Sequence, residues 1–134
     1  MARTAPHLIF PLSKPDKTYL IIALDLDALF VNIPILGPIL HWIQPGLKAS
    51  ADNVLTTNEP FVADYIGPAP PPLSGPHRYC FFLYEQPENF DGRKYAPPNG
   101  GKLSAMKRMR FDVEGFENEV GLGVIVGCAY FRSN

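Results

Sequence analysis

No excess of either charge marks this sequence: 12 Lys and Arg stand against 13 Asp and Glu, a net charge of -1. That balance excludes a nucleic-acid binder acting through bulk electrostatics, and equally a polyacidic tail protein. Charged residues are scarce altogether at 19%, below the roughly one quarter usual in soluble domains. No apolar run approaches the ~20 residues of a membrane-spanning helix. The best candidate, residues 122–131, is short and is interrupted by Gly123 and Gly127. The Leu8-Ile9-Phe10 run ends at Pro11, too short and broken for a signal-peptide core. Cysteine is nearly absent: only Cys80 and Cys128 occur, both inside hydrophobic runs. They are expected as buried thiols in strands rather than as a disulfide, which points to a cytoplasmic protein. No repeat occurs at solenoid periods.

What the sequence has in plenty is proline and aromatic side chains. Its 15 Pro and 11 Gly predict many loops and few long helices. Nine Phe, six Tyr and one Trp supply large core pieces. At 134 residues the chain is one domain's length, spanning 1–134, and long enough to bury a core unaided.

The order of elements follows from pattern and punctuation. Residues 7–11 read as a short strand ended by proline, and residues 14–17 as a turn. Residues 18–25 (TYLIIALD) are apolar on both faces and predict a central strand. Residues 26–38 are irregular, because Pro34 and Pro38 forbid a long helix. Residues 39–44 (ILHWIQ) predict a second buried strand closed by Pro45-Gly46, with a polar loop over 47–58. Residues 61–66 lead into the stiff stretch Gly67-Pro68-Ala69-Pro70-Pro71-Pro72. Residues 77–84 (HRYCFFLY) are the clearest strand, followed by a loop over 86–101. Residues 103–110 hold a helical turn. Residues 112–120 form an amphipathic helix, capped by Asp112, ended by Gly121, with Val113, Phe116 and Val120 on one face. Residues 122–131 are the last strand. Strands dominate, so the sheet is expected to be antiparallel rather than built from βαβ units.

Several residues carry potential chemistry. Asp25 and Asp27 follow the apolar strand and need solvent, donors or a cation. They serve either a solvated turn or a pocket in which a carboxylate orients a histidine. His41 stands between Leu40 and Trp42, where a structural role is the commoner one. His77 and Tyr79 alternate onto one face of their strand, and Arg78 and Cys80 onto the other. Imidazole and phenol side by side suit an anion or a carbonyl ligand. Two His and two Asp also raise a metal, but no HExxH, CxxC or His-x-His spacing supports one, so neither metal nor cofactor is expected. The glycines at 121, 123 and 127 lack the dinucleotide spacing. The PxxP spacing within 68–72 could dock an SH3 or WW module, but between two core strands it reads as a pocket wall. Lys102, Lys107, Arg108 and Arg110, followed by Asp112, Glu114, Glu117 and Glu119, read as a balanced, solvated surface.

Taken together, Asp25-Leu26-Asp27-Ala28, Leu40-His41-Trp42, the run from Tyr65 to Pro71, Gly75-Pro76-His77-Arg78-Tyr79 and Phe82-Leu83-Tyr84-Glu85-Gln86 closely resemble the phosphatidylethanolamine-binding protein family, also called the Raf kinase inhibitor type. The likeness covers roughly residues 6–131, and Leu26 after the first Asp is similar to fungal members. It implies an antiparallel β-sandwich with one or two short C-terminal helices. It also implies a small anion pocket, carried over to Asp25, Asp27, His41, Pro70, His77 and Tyr79. Members bind phosphate-like head groups, and many act on protein partners. Some fungal members are similar proteins encoded beside polyketide pathways.

The departures adjust that expectation. Leu26 and Leu29 replace the two prolines usual in the family's turn, and Phe30 and Val31 stand where Ser and Arg are usual. Ala69 replaces a customary glycine. The pocket is therefore expected to suit an apolar ligand bearing a carboxylate or carbonyl. The family's first strands have no counterpart here, which predicts an apolar face covered by a second copy, a homodimer. Three functions remain open: a small-molecule binder; an enzyme or accessory of polyketide-type metabolism, with His41, His77 and Asp27 as acid–base groups for a cyclisation, condensation or isomerisation; and a regulator acting on a protein partner.

Overall fold

The computed structural model describes residues 4–27, 37–70 and 72–133. Most of the irregular segment expected over 26–38, with its Leu29, Phe30, Val31 and Pro34, lies outside the described residues, as does Pro71.

Six strands lie in the order β1-β4-β3-β2-β5-β6, all neighbours antiparallel. They are β1 (Leu8–Ile9), β2 (Tyr19–Asp25), β3 (Ile39–Ala49), β4 (Val54–Thr56), β5 (His77–Glu85) and β6 (Ile125–Ser133). Two short helices, α1 (Ala105–Arg108) and α2 (Val113–Val120), precede β6. The expected mainly β, antiparallel architecture with short C-terminal helices is what the chain adopts. β3 joins its two portions, pairing with β2 along most of its length and with β4 only at Lys48 and Ala49.

β2 is central because both of its faces are covered, and all seven of its residues are buried. Leu20, Ile22 and Leu24 face one way and pack with Leu40, Ile43 and Tyr84, under Val113 and Phe116 of α2. Tyr19, Ile21 and Ala23 face the other way, with Trp42, Leu47, Leu55 and Leu83, where only Leu8, Phe10, Tyr65 and a few neighbours cover them. α2 begins as the sequence predicts: Asp112 accepts a hydrogen bond from Gly115 N–H at 2.9 Å, and Gly121 ends the helix at φ 73°.

Four expectations need correction. β3 does not stop at Pro45-Gly46 but runs on to Ala49. The strand absorbs that dipeptide as an irregularity between the pairs Tyr19–Leu47 and Ile21–Gln44, with Gly46 at φ 74° and its N–H donating to Gln86 Oε1 at 2.8 Å. The supposed loop over 47–58 contains β4. Cys80 is buried, but Cys128 is exposed, because β6 pairs with β5 on one side only among the described residues. Arg108 is not solvated: it is 3% exposed and hydrogen-bonded throughout.

Candidate ligand site

The ends of three strands bring the chemistry together. Asp25 closes β2, His41 lies near the start of β3, and His77 and Tyr79 open β5. Asp25 pairs in register with Tyr79 across the β2–β5 ladder. Side chains alternate along β5, so His77 and Tyr79 share one face, as expected. Their rings stack at 6.3 Å, and His41 meets Tyr79 edge to face at 5.2 Å. Tyr79 is therefore the hub that touches both histidines.

Each histidine is held by its Nδ1. His77 Nδ1–H donates to Asp25 Oδ2 at 2.8 Å, with the imidazole 1% and the carboxylate 5% exposed. The other Asp25 oxygen accepts from Asp27 N–H at 2.9 Å. His41 Nδ1–H donates to the Ile66 carbonyl at 2.8 Å. A carbonyl and a carboxylate only accept, so both rings carry the proton on Nδ1 and turn Nε2 toward other partners. Burial pushes the His41 pKa below its ordinary value. The hydrogen bond to Ile66 and the Asp25 charge oppose this shift, and the Arg108 and His77 charges add to it. His41 is thus neutral at pH 7, with a lone pair on Nε2.

Asp27 does a different job. Its carboxylate accepts from Arg78 N–H at 2.9 Å, from Nε at 2.8 Å and from Nη2 at 2.8 Å. These bonds to Arg78 hold its pKa below the usual carboxylate range. Its acceptor positions are engaged by the half-exposed Arg78, so in this arrangement Asp27 braces the strand end.

Two buried polar atoms have no hydrogen-bond partner among the described residues: His77 Nε2 and the Tyr79 hydroxyl. The Ala69 backbone lies beside that hydroxyl but makes no well-aligned hydrogen bond with it. Burial first, then the Asp25 charge, push the Tyr79 pKa far above the ordinary phenol value. The phenol stays protonated and remains a donor. Buried groups of this kind are normally paired.

The space around this cluster is small. The cavity lined by His41, Tyr65, Ile66, Pro68, Tyr79 and Phe131, among others, measures about 10 Å³, the scale of one water molecule. Of the expected site residues only His41 and Tyr79 line it; Pro68 does too, but Asp25, Asp27, Pro70 and His77 do not. Phe131 of β6 stacks on Tyr79 at 5.4 Å and on Phe81 at 6.0 Å. Two apolar grooves lie on the same sheet face: about 300 Å³ along Leu8, Phe10, Ile21 and Leu83, and about 230 Å³ beside Tyr65, Phe81 and Phe131. A larger depression of about 450 Å³ by Glu59, Phe90 and Arg93 shares no residue with the cluster.

Sequence reasoning brought five of its six residues to one region: Asp25, Asp27, His41, His77 and Tyr79. It missed the Ile66 carbonyl and Phe131. Ile66 acts through its backbone, which leaves no residue-type signal, and Phe131 reaches the site through the cross-strand pair Tyr79–Phe131. Among the described residues no group of three or more His, Cys, Asp and Glu side chains is placed to hold a metal ion. Neither histidine is hydrogen-bonded to a serine or cysteine there. What the cluster offers is a lone pair on His41, a hydroxyl donor on Tyr79, and a His77 Nε2 whose ring is oriented by a carboxylate. That set combines one donor, the Tyr79 hydroxyl, with accepting imidazole nitrogens, which suits a protonated carboxylic acid, whose carbonyl oxygen accepts and whose hydroxyl donates.

An antiparallel sheet with carboxylate, imidazole and phenol gathered at its strand ends defines a β-domain with a small polar site. A sequence profile described as "Phosphatidylethanolamine-binding protein" matches residues 2–122, and the chain belongs to that family. It is 35% identical over 74 residues to carboxypeptidase Y inhibitor of Saccharomyces cerevisiae, covering 52% of this chain and 34% of the relative. It is 35% identical over 102 residues to phomoidride biosynthesis cluster protein N of Talaromyces stipitatus, covering 70% of this chain and 48% of the relative. The chain thus spans less than half the length of either. A crystal structure of carboxypeptidase Y inhibitor complexed with the cognate proteinase superposes with a TM-score of 0.73 at 25% identity, over 98% of this chain and 71% of that one. No helix among the described residues is long and apolar enough to cross a membrane.

Proposed function

We propose that this protein binds a small anionic or carboxylic ligand at Asp25, His41, His77 and Tyr79, with Asp27 and the proline segment around Pro70 as supports. The observation that carries this reading is the pair of buried polar atoms without a partner among the described residues, His77 Nε2 and the Tyr79 hydroxyl, on one strand face, with the His41 ring against Tyr79. Leaving such atoms unpaired costs about 1–3 kcal/mol each, and a protonated carboxyl recovers it, its carbonyl oxygen accepting from Tyr79 and its hydroxyl donating to His77 Nε2. The cavity of about 10 Å³ admits only the tip of a head group, so entry requires Phe131 or the 67–70 segment to move. The apolar grooves beside Phe131 favour a ligand with a greasy body.

The test is a thermal-shift panel of phosphate, phosphoethanolamine, and apolar mono- and dicarboxylic acids on wild type and His77→Ala. A ligand at a hundred times its Kd adds about 2.7 kcal/mol. The expected result is a shift in the wild type that the variant loses. Equal shifts in both proteins, or none with any compound, overturn the reading.

A second reading is favoured by the relative from the phomoidride biosynthesis cluster. Here neutral His41 takes a proton from an acidic substrate, Asp25 orients His77, and Tyr79 donates to the developing enolate. General acid–base help of this kind is worth ~10²–10⁴-fold. Incubating acids that bind with the protein, and following substrate by mass spectrometry, separates the two: unchanged substrate leaves binding alone. A protein partner is a third role, supported by the relative solved with its proteinase. We also propose a homodimer. The outer edge of β6 carries exposed Ile125, Tyr130 and Phe131 beside the apolar grooves, and a second β6 is the occupant that pairs such an edge. A strictly monomeric protein in light scattering at micromolar concentration rules it out. A reducing, cytoplasmic setting fits the free thiol at Cys128.

A further inference from the structure

We infer that Arg108 is a positioning residue for the candidate site: it clamps the two backbone segments whose contact fixes His41. The inference rests on the reading of His41 as a ligand-contacting group.

Arg108 ends α1 and is 3% exposed. Nη1 donates to the Leu40 carbonyl at 3.2 Å and to the Asp64 carbonyl at 3.1 Å. Nη2 bonds Asp64 Oδ1, and Nε donates to the Leu103 carbonyl at 3.1 Å. Asp64 Oδ1 also accepts from Leu103 N–H at 2.8 Å. Leu40 immediately precedes His41, and Asp64 lies two residues before Ile66. One guanidinium thus ties β3 to the 62–66 segment. A planar fork reaching two carbonyls and a carboxylate at once is a task for which lysine is no substitute.

The segment it ties is the one that holds the imidazole. Ile66 N–H donates to the His41 carbonyl at 2.9 Å, and His41 Nδ1–H donates back to the Ile66 carbonyl at 2.8 Å. Farther along, Ala63 bridges Ile43. If the clamp loosens, the reciprocal pair at Ile66 opens and the ring can exchange tautomers. The charged groups acting on His41 are Asp25 from β2, His77 from β5 and Arg108 from α1. Burial keeps His41 unprotonated and the charge of Arg108 adds to that effect; Asp64 keeps that charge from standing alone.

The test is nitrogen-15 NMR of the imidazoles in ligand-free protein, so it stands whether or not any ligand binds. Wild type is expected to show His41 as a single Nδ1–H tautomer. Arg108→Lys and Asp64→Asn are expected to show a mixture with the Nε2–H form, and Arg108→Met a His41 titration shifted upward. Tyr84→Phe, which breaks the buried contact of β5 with Glu117 of α2, is expected to lower thermal stability and leave His41 unchanged. Folded Arg108→Lys and Asp64→Asn with wild-type His41 spectra overturn the inference, as does an equal change in Tyr84→Phe. In the wild type itself, the Ile66 amide and the Arg108 Nε–H are expected to exchange with solvent in one opening event. Ile66 exchanging far faster than Arg108 also overturns the inference, even if no variant folds.

Discussion

His41 and His77 make the instructive contrast of this molecule. Both sit in strands, both donate Nδ1–H, and both touch the ring of Tyr79. One donates to a backbone carbonyl and the other to a buried carboxylate. A carbonyl fixes orientation but contributes little charge, so burial decides the state of His41 and keeps it neutral. A buried carboxylate fixes orientation as well, and the His77 ring in turn supplies the donor that this carboxylate needs. The chain thereby packs a carbonyl-held imidazole and a carboxylate-held imidazole against one phenol.

Four experiments break or sharpen that contrast, beginning with the largest expected effect. His77→Ala removes the donor on the buried Asp25 carboxylate. We expect a loss of at least about 1–3 kcal/mol in urea unfolding, together with loss of ligand-induced thermal shift. His77→Gln, which keeps a donor, recovers part of the stability and not the binding. Next comes pH. The His41 pKa is lowered on folding from its ordinary 6.5, so the unfolded chain binds more protons. Stability therefore falls as pH drops through 6.5, with a slope of at most ~1.4 kcal/mol per pH unit. His41→Leu is expected to remove the His41 contribution to that slope from melts recorded between pH 7.5 and 5. The third is Tyr79→Phe. It deletes a buried hydroxyl without a partner among the described residues, so stability should hold or rise. Affinity measured by calorimetry should fall roughly tenfold, the worth of one hydrogen bond of about 1–1.5 kcal/mol. The smallest effect is that of Asp27→Asn. Because Asp27 holds Arg78 rather than a histidine, the same calorimetric titration should return the wild-type affinity. A loss as large as that of Tyr79→Phe would place Asp27 in contact with the ligand instead.

Much of this was legible in the chain. β2 could be read as central because its first six residues, Tyr19 to Leu24, are apolar without interruption, and only a strand covered on both faces tolerates that. His77 and Tyr79 could be placed together because strand alternation is strict. Other features needed the assembled sheet. Pro45-Gly46 is a normal strand stop, and nothing local reveals that β3 passes through it as an irregularity pinned by Gln86. Val54–Thr56 is too short to show a period of two. Arg108 sits in a charged run, where solvation is the ordinary fate. Its burial depends on carbonyls 44 and 68 residues away in sequence. The thiol of Cys128 sits in an apolar run, yet exposure is decided by its strand lying at the sheet edge, a property of topology rather than of neighbours.

The chain's one tryptophan is Trp42, the residue after His41. Its indole meets Tyr65 edge to face at 5.6 Å, and Tyr65 lines the small cavity. The protein therefore carries its own optical probe one residue from the proposed ligand contact, with no second indole to mask it. A ligand that shifts Tyr65 or repolarises the cavity alters the environment of a single emitter. The wavelength and intensity of that emission make binding readable in unlabelled protein, in stopped flow as well as at equilibrium.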